Sequence, residues 1–473
     1  MKPIIAKRSE RTPSVRWALA SLSLSMLMPS LDTSIANAGL PTLAQAFTAS
    51  FQSVQWIVLA YLLAITTLIV SVGRLGDIMG RRRLLLVGIC LFTVASLLCG
   101  VAPTLWLLIA ARAAQGLGAA IMMALTVALV GEIVPKEKTG SAMGLLGTMS
   151  AIGTTLGPSL GGLLIAGFGW RTIFLVNVPL GILNFLLAYR YLPVDRRGPK
   201  SDRRGSFDHV GTLLLALTLA AYALAMTIGR GSFGPLNMAL LLAAVFGVGL
   251  FVLAEAKAAS PLIPLAMFRN PVLSASLVMS TLVSTVMMAT LVVGPFYLSR
   301  GLGLETALVG LVLSVGPLVA ALTGVPAGRI VDRFGAQRMT IIGLVGIAIG
   351  SSVLSMMPTR FGIPGYIAPI VIITANYALF QAANNTAIMM DISPDQRGVI
   401  SGMLSLSRNL GLITGASAMG AVFAIASATI DITTARPDAV ATGLRITFAV
   451  AAILIVVAIA IAIGAYRHTL RNR

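Results

Sequence analysis

Charged residues are scarce in this sequence. They occupy 10% of its 473 positions, whereas hydrophobic residues occupy 57%. A soluble globular protein has about 25% charged residues, and a disordered chain combines low hydrophobicity with high net charge. Both classes are therefore excluded, lipid is the expected solvent, and the predicted fold class is an all-α integral membrane protein.

Cysteine and histidine are nearly absent, with two residues of each. Cys90 and Cys99 are nine residues apart in one apolar run, which is about 13 Å along a helix axis and too far for a disulfide. Both are therefore predicted to be packing residues. The sequence also lacks metal-ligand spacings, nucleophile motifs and phosphate-binding loops. We expect no metal site, no cofactor and no enzymatic activity.

Long apolar segments are abundant, and about 20 apolar residues cross a bilayer as one helix. Fourteen segments meet this length, and an even number of spans leaves both chain ends on the same side of the membrane. The predicted spans are 16–38, 54–74, 83–101, 105–132, 141–167, 171–192, 210–228, 237–255, 271–298, 306–328, 338–357, 364–388, 398–427 and 443–465.

Positive charge dominates, with 34 lysines and arginines against 15 acidic residues and a net charge of +19. In a soluble protein this balance would indicate a nucleic-acid partner. With the N-terminus inside, however, 26 of the 34 basic residues fall in cytoplasmic segments and 6 in outer segments, while Arg112 and Arg408 lie within helices. Cytoplasmic loops of membrane proteins carry this excess. The sequence therefore predicts cytoplasmic chain ends and no nucleic-acid partner.

The chain contains an internal repeat. The segment Gly73–Arg81 returns at 328–336, offset by 255, and the five glycines spaced along 140–162 return along 398–420, offset by 258. The repeat pairs the first six helices with the last six and leaves two helices as an insertion. Transporters built from two parallel halves hold substrate between the halves near the midplane. The predicted domains are a six-helix bundle at 1–192, an inserted helix pair with linkers at 193–268, and a second six-helix bundle at 269–473.

Asp32 is the only one of the 15 acidic residues that lies well inside a predicted helix, and charges within the membrane are costly and usually functional. A low dielectric favours the neutral acid, whereas a nearby cation favours the carboxylate. Arg112 lies at a similar depth, about 9 Å below the outer boundary, and Gln115 is one turn deeper on the same helix face. These three residues are predicted to couple proton transfer to transport. A purely structural buried ion pair is the alternative.

Two glycine-rich segments are predicted to form a conformational gate. In helix five, Pro158 removes a backbone hydrogen bond and kinks the helix, while the glycines permit close helix contact. In the inner loop between helices two and three, Asp77 can face a helix N-terminus or an arginine of the other half. Ordinary packing and charge anchoring are the alternatives. The predicted gate residues are Gly73, Asp77, Gly80, Arg81, Gly153, Gly157, Pro158, Gly161 and Gly162.

Arg408 lies about ten residues into helix thirteen, and the second half has no intramembrane acid to pair with it. Asn384, Asn385 or backbone carbonyls are its expected partners, and a structural and a functional role are both open. Substrate is expected between the halves, against methionine, aromatic and amide side chains. The candidate substrate-binding residues are Trp56, Tyr61, Met122, Met287, Tyr297, Asn376 and Gln381.

Taken in order, these motifs resemble those of the major facilitator superfamily, specifically its fourteen-helix drug:proton antiporter family, over nearly the whole chain. The segment Gly73–Arg83 resembles the superfamily motif between helices two and three. The helix-four residues around Arg112 resemble the motif tied to proton transfer, and 153–162 resembles the helix-five antiporter motif. The segment Asp32–Pro41 resembles the helix-one motif of drug exporters. As departures, Ser34 and Gly39 stand where the family usually has threonine and alanine, and Ile78 replaces a common arginine.

The resemblance implies a proton-coupled antiporter that exports small amphipathic or cationic drugs and toxic compounds across a bacterial inner membrane by alternating access. Its energy source would be the proton gradient, its partners would be protons, cargo and membrane lipid, and a monomer is expected. Some relatives carry a further acid in the late helices, and this chain has none, so we hypothesise that cargo is neutral or singly charged. Export of one specific metabolite, an uncoupled channel and a membrane-embedded enzyme are the alternatives.

Overall fold

The structure is a computed structural model, and every regular element among its described residues is helical. Both chain ends, which are predicted to be cytoplasmic, and most of the linkers around the inserted helix pair lie outside the described residues. The structure describes residues 15–49, 51–194, 208–227, 234–258, 261–390, 396–427 and 436–471.

The described helices fall into fourteen consecutive spans, as the hydropathy pattern predicts. The first half comprises α1 (Val15–Ala46), α2 (Phe51–Met79), α3 (Arg81–Val101), α4 (Leu105–Ile133), α5 (Thr139–Phe168) and the two-part α6 (Thr172–Leu175 and Asn177–Tyr191). The inserted pair is α7 (His209–Thr227) and α8 (Pro235–Lys257). The second half comprises α9 (Pro271–Phe296), the two-part α10 (Thr306–Leu313 and Val315–Phe334), α11 (Ala336–Met356), α12 (Gly362–Met390), α13 (Arg397–Ala426) and α14 (Pro437–Arg471).

Thirteen of these spans are long and apolar enough to cross a membrane. The exception is α1, which is more polar because it carries Asp32 and a series of serines. This helix also runs eight residues beyond its predicted end at 38. Leu40 and Leu43 are buried beyond that point, and Gly39 lies against Ile173 of α6. The apolar face of α1 therefore continues past the predicted boundary.

Two predicted spans are interrupted. The break in α6 falls at Val176 and the break in α10 falls at Ser314. Each break precedes a proline by three residues, Pro179 and Pro317 respectively. Because a proline has no N–H to donate to the carbonyl four residues earlier, the helical ladder is weakened at the same register in both spans.

The two cysteines differ in environment. Cys99 is buried, whereas Cys90 is exposed on the outside of α3. Nine residues correspond to two and a half helical turns, which puts the two side chains on opposite faces. The packing prediction is therefore wrong for Cys90.

The two halves pack in the same way. Within the first half α1 packs on α5, while α2 and α3 pack on α4; in the second half α9 packs on α13, while α10 and α11 pack on α12. Between the halves the main contacts are reciprocal, since α5 meets α10 and α2 meets α13. The inserted helices α7 and α8 pack on each other, and α7 touches both α2 and α13. The internal repeat of the sequence thus corresponds to a repeated packing pattern.

Candidate functional site

Asp32 of α1 and Arg112 of α4 form an ion pair in the first half, between Oδ2 of the carboxylate and Nη1 of the guanidinium. Both side chains are removed from solvent, with 1% and 0% of their surfaces exposed. Arg112 also donates from Nε to the Ile57 carbonyl at 3.1 Å. Its guanidinium lies over the Tyr61 ring, 4.2 Å from the ring centroid. The structure therefore brings together the two residues that equal helix depth had suggested.

The Asp32 carboxylate has two further donors. Gln115 donates from Nε2 to Oδ1 at 2.9 Å, and Asn177 donates from Nδ2 to the same oxygen at 2.7 Å. The Gln115 carbonyl accepts from Arg112 Nη1 at 2.7 Å, and its amide also donates to Ser96 Oγ at 2.8 Å. Four helices, α1, α3, α4 and α6, thus supply one polar cluster inside the membrane.

Asn177 and Ser96 had not been assigned to this cluster from sequence. The signal for Asn177 was the proline two residues later, because the break in α6 makes Asn177 the first residue of the longer helical segment. Ser96 gives no such signal, since a serine in an apolar helix usually bonds to its own backbone, as Ser96 also does with the Phe92 carbonyl.

A cavity of about 460 Å³ lies between the two halves. Residues of α1, α2, α4 and α5 line one side, and residues of α9, α10, α12 and α13 line the other. Three of the candidate substrate residues line it, namely Tyr61, Met287 and Gln381. The same Tyr61 ring covers Arg112, so this side chain separates the buried ion pair from the cavity.

The remaining candidate substrate residues do not line the cavity among the described residues. Met122 is buried between helices, and its neighbour Met123 lines the cavity instead. One residue turns the helix by about 100°, and a helix that is apolar all round gives no sequence signal for that rotation. The candidates that lie elsewhere are Trp56, Met122, Tyr297 and Asn376.

Arg408 of α13 lines the same cavity. It also borders a smaller recess of about 50 Å³ on the inner side, together with Asn384 and Asn385. Arg408 lines both the recess and the cavity, as Met123 does, so it lies where the two spaces meet.

The inner ends of α2 and α13 are joined by Asp77. Its carboxylate accepts from the N–H groups of Gly398 at 3.0 Å and Val399 at 3.1 Å, in the first turn of α13. Arg81 donates to the same carboxylate at 2.8 Å and to Glu132 of α4 at 3.0 Å. The carboxylate therefore binds a helix N-terminus of the other half and an arginine of its own half.

Glycines allow this close approach. A Cβ atom at Gly73 would overlap the carbonyl oxygen of Gly398, so the two backbones pack directly against each other. Gly80 ends the segment with a φ of 101°, a conformation that side chains with a Cβ rarely adopt. Of the predicted gate glycines, Gly73 and Gly80 thus each have a steric requirement in this conformation.

The repeat reproduces this contact in the opposite direction. Asp332 at the inner end of α10 accepts from the N–H groups of Gly140 at 2.7 Å and Ser141 at 2.9 Å, in the first turn of α5. The Ser141 hydroxyl also contacts Asp332. Two carboxylates at helix N-termini of the opposite half, where anions are favoured, therefore hold the inner ends of the two halves together.

The helix-five motif packs on α1. A Cβ atom at Gly153 or Gly157 would overlap α1, one at Gly161 would make ordinary contact, and one at Gly162 would meet open space. The helix stays continuous through Pro158. Because Pro158 cannot donate to the Thr154 carbonyl, that oxygen is free, and Ser34 of α1 donates to it at 2.8 Å.

The all-helical bundle with a cavity between two similarly packed halves defines a multi-pass membrane transporter. The chain belongs to the Major Facilitator Superfamily, whose family model matches residues 22–416. Its function is accordingly membrane transport and not enzymatic catalysis.

The chain is similar to characterised transporters over most of its length. It is 31% identical over 412 residues to the riboflavin transporter RibZ of Clostridioides difficile, covering 86% of this chain and 88% of that protein. It is also 31% identical over 409 residues to the multidrug resistance protein Stp of Mycobacterium tuberculosis, covering 86% and 75%. The fold is similar to that of the proton:xylose symporter XylE, with a TM-score of 0.64 at 16% identity over 93% of this chain and 94% of that one.

Proposed function

We propose that the chain is a proton-coupled antiporter that exports small amphipathic compounds across a bacterial-type inner membrane by alternating access. The observation that carries this proposal is the buried Asp32–Arg112 pair, which is separated from the central cavity by the ring of Tyr61. An ionisable residue inside a membrane bundle is by default a candidate for proton transfer. The proton gradient would supply the energy, and no cofactor would be required.

Protonation of Asp32 would change every contact in its cluster. The neutral acid would leave the Arg112 charge without a counter-ion, and Gln115 and Asn177 would lose a charged acceptor for their amides. Charge-assisted hydrogen bonds are about twice as strong as neutral ones. Because these partners lie on α4 and α6 and Asp32 lies on α1, protonation would favour a different packing of these three helices.

Protonation of Asp32 would also affect the side of α1 that faces the cavity. The Tyr61 hydroxyl donates to the Pro29 carbonyl of α1 at 3.3 Å, and Thr33 donates to the same carbonyl at 2.8 Å. All three residues line the cavity. We propose that they transmit the state of the ion pair to bound cargo, because Tyr61 packs on Arg112 and borders the cavity.

The inner contacts of Asp77 and Asp332 would form the gate. Both hold a helix end of one half to a helix N-terminus of the other, and both would have to separate before the cavity could open to the cytoplasm. We propose that Gly73, Gly80 and Arg81 support the first of these contacts. The helix-five glycines would allow α5 to slide on α1 as the halves rock.

The proposed orientation has both chain ends in the cytoplasm, on the basis of the distribution of basic residues. The inserted helix α8 is proposed to face lipid, since its apolar side chains Leu242, Val245 and Phe246 are largely exposed. We propose a monomer as the transporting unit, because one chain supplies both halves around the cavity.

The sequence predicts amphipathic or cationic cargo. The lining fits the amphipathic part of that prediction, with Met123, Met143 and Met287 beside Tyr61 and Tyr377. Methionine surfaces adapt to varied apolar shapes. The multidrug relatives support a broad exporter. The riboflavin transporter supports the narrow specificity of a second candidate, an exporter of one specific metabolite. A compound panel would distinguish this candidate by a single strong response.

The test is efflux of a dye panel from energised right-side-out membrane vesicles, with and without an uncoupler. We expect efflux by the parent protein that stops when the uncoupler collapses the gradient, and no coupled efflux by Asp32→Asn. The matched control is Glu137→Gln, which removes an exposed acid at the inner surface. Efflux that continues unchanged with the uncoupler present would mean an uncoupled channel, and full efflux by Asp32→Asn would contradict its role.

A further inference from the structure

The central cavity carries a positive charge. Arg408 is the only charged side chain among the described residues that line the cavity and its inner recess, and no aspartate or glutamate is among them. The polar groups that share this part of the lining are neutral: Tyr377, Gln381, Asn384, Asn385 and Asn409.

The protein does not neutralise this charge within its described residues. The Nε of Arg408 is buried and has no hydrogen-bond partner there, and none of the ion pairs formed by described residues involves Arg408. The side chain as a whole is only partly buried, so its charge faces the cavity with no opposite charge beside it among the described residues. A bound anionic group would gain an electrostatic attraction there that a neutral group would not.

The other intramembrane arginine offers a contrast. Arg112 is neutralised by Asp32, and both are buried behind Tyr61. In this conformation Asp32 is 1% exposed and receives donors from three side chains, so it presents no charge to the cavity. A cationic compound would meet Arg408 without any acid to balance it, and like charges repel strongly in such a space.

The rest of the lining determines the shape of a suitable ligand. Apolar and aromatic side chains from both halves, among them Met123, Met287 and Tyr366, provide a surface for an apolar body. Arg408 and the nearby amides provide one polar end, which carries the only charge among the described lining residues. The polar side chains that α1 and α5 add to the lining, such as Thr33, Asn37 and Thr154, are neutral. The volume of about 460 Å³ is in the range of drug-sized binding sites.

We propose that the cavity binds amphipathic anions, compounds with an apolar or aromatic body and one carboxylate, sulfonate or similar acidic group. The acidic group would bind the guanidinium of Arg408, which suits such groups by its planar arrangement of donors. The body would lie against the methionine and tyrosine side chains. This inference rests on the proposed export function, narrows its cargo to one sign of charge, and excludes cations as preferred cargo.

Three dansyl probes test the inference, because they share a fluorophore and differ in charge: anionic dansylglycine, neutral dansylamide and cationic dansylcadaverine. Binding is measured by fluorescence titration of the full-length protein in phosphatidylcholine nanodiscs, without a proton gradient. We expect dansylglycine to bind the parent at least about tenfold more tightly than dansylcadaverine, since a hydrogen bond to a charged group contributes roughly 10-fold to 100-fold in affinity.

The Arg408→Gln variant should remove this preference. Dansylglycine affinity should fall about tenfold or more, while dansylamide affinity, which reports an intact cavity, should change less than about twofold. Arg408→Lys should retain most of the preference. The matched control is Arg360→Gln, which removes an exposed arginine that stacks on Phe361 away from the cavity.

A second variant covers the case in which Arg408→Gln does not fold. Gln381→Glu adds an acid of similar shape to the same lining, so it should weaken dansylglycine binding and strengthen dansylcadaverine binding. The inference is overturned if the parent does not bind dansylglycine, if it binds the cation as tightly, or if the folded variants keep the parent's preference.

Failure of the inference and failure of the proposed function give different results. Binding is measured without a gradient, so a preference for dansylglycine that depends on Arg408 supports the inference whatever drives transport. If vesicles then transport dansylglycine equally well with and without an uncoupler, the proposed proton coupling is wrong, whereas the proposed binding site is still supported. If proton-coupled efflux is found for dansylcadaverine but not for dansylglycine, the proposed export function is supported and the proposed negative charge of the cargo is wrong.

Discussion

Removal of the Asp32 charge should destabilise the protein as well as stop transport. In Asp32→Asn, the new amide would present a donor to the Nη1 donor of Arg112, and the arginine would remain buried without a counter-ion. Breaking a buried pair by removing one partner costs about 3–5 kcal/mol. Arg112 would keep the Ile57 carbonyl, the Gln115 oxygen and the Tyr61 ring. We therefore expect a loss near the lower end, about 3 kcal/mol.

A double substitution separates the two effects. In Asp32→Asn with Arg112→Met, no charge remains in the cluster, and Gln115 and Asn177 can still donate to the asparagine oxygen. We expect this variant to recover most of the lost stability, to within about 1 kcal/mol of the parent, because replacing a buried ion pair by neutral groups is often nearly neutral. Proton-coupled efflux should be absent in both variants.

The assay is unfolding of the purified proteins in nanodiscs by heat and by denaturing detergent, alongside vesicle efflux. The control is Glu137→Gln, whose side chain is exposed and whose loss should change stability by less than about 0.5 kcal/mol. An Asp32→Asn protein as stable as the parent would refute the energetic reasoning. A double variant less stable than Asp32→Asn would do the same.

Three further predictions concern the packing around this cluster and the gate. Asp77→Asn should weaken the inner contact between the halves by about 1.5–3 kcal/mol, because the two backbone N–H groups of α13 would lose a charged acceptor. A thiol reagent added from the cytoplasmic side should then label a cysteine placed at Met143 faster, and unchanged labelling would contradict the gate. Gly157→Ala should lower the free energy of unfolding by about 1–3 kcal/mol, because the new Cβ overlaps α1, whereas the Cβ of Gly162→Ala meets open space and should be tolerated. Equal unfolding midpoints for the two variants would show that the contact of Gly157 with α1 is unimportant. Asn177→Ala should lower the free energy of unfolding by about 1–3 kcal/mol, because the buried Asp32 carboxylate loses a donor. Unfolding in detergent measures this loss, and a midpoint equal to that of the parent would show that Asn177 does not stabilise the cluster.

Much of the fold followed from the sequence, because the bilayer requires apolar spans of fixed length and internally satisfied backbones. The spacing of apolar segments predicted fourteen spans, and the repeat predicted two similar halves. The span ends were less predictable. The extension of α1 to Ala46 depends on packing against Ile173, and the breaks at Val176 and Ser314 depend on prolines whose effect is local.

The candidate site, like the fold, could be predicted from the sequence only in part. Depth along two helices predicted that Asp32 and Arg112 could meet, since depth follows from residue count alone. Rotation about a helix axis does not follow from residue count. For this reason the sequence suggested Met122 as a candidate, whereas its neighbour Met123 lines the cavity. The bond from Ser34 to the Thr154 carbonyl was likewise not anticipated, because it needs both the oxygen freed by Pro158 and the register of α1 on α5.

Arg408, which has no ion-pair partner in the described part of the chain, has a consequence for the energy available to transport. If the cargo carries one negative charge and leaves in exchange for one proton, both movements carry current in the same direction across the membrane. Each charge gains about 2.3 kcal/mol per 100 mV, so one cycle that moves two charges would gain about 4.6 kcal/mol at a potential of about 100 mV. A monocation exchanged for one proton would gain nothing from it. The sign of the charge on Arg408 would thus make export electrogenic, and the voltage would sustain it even where the pH difference across the membrane is zero.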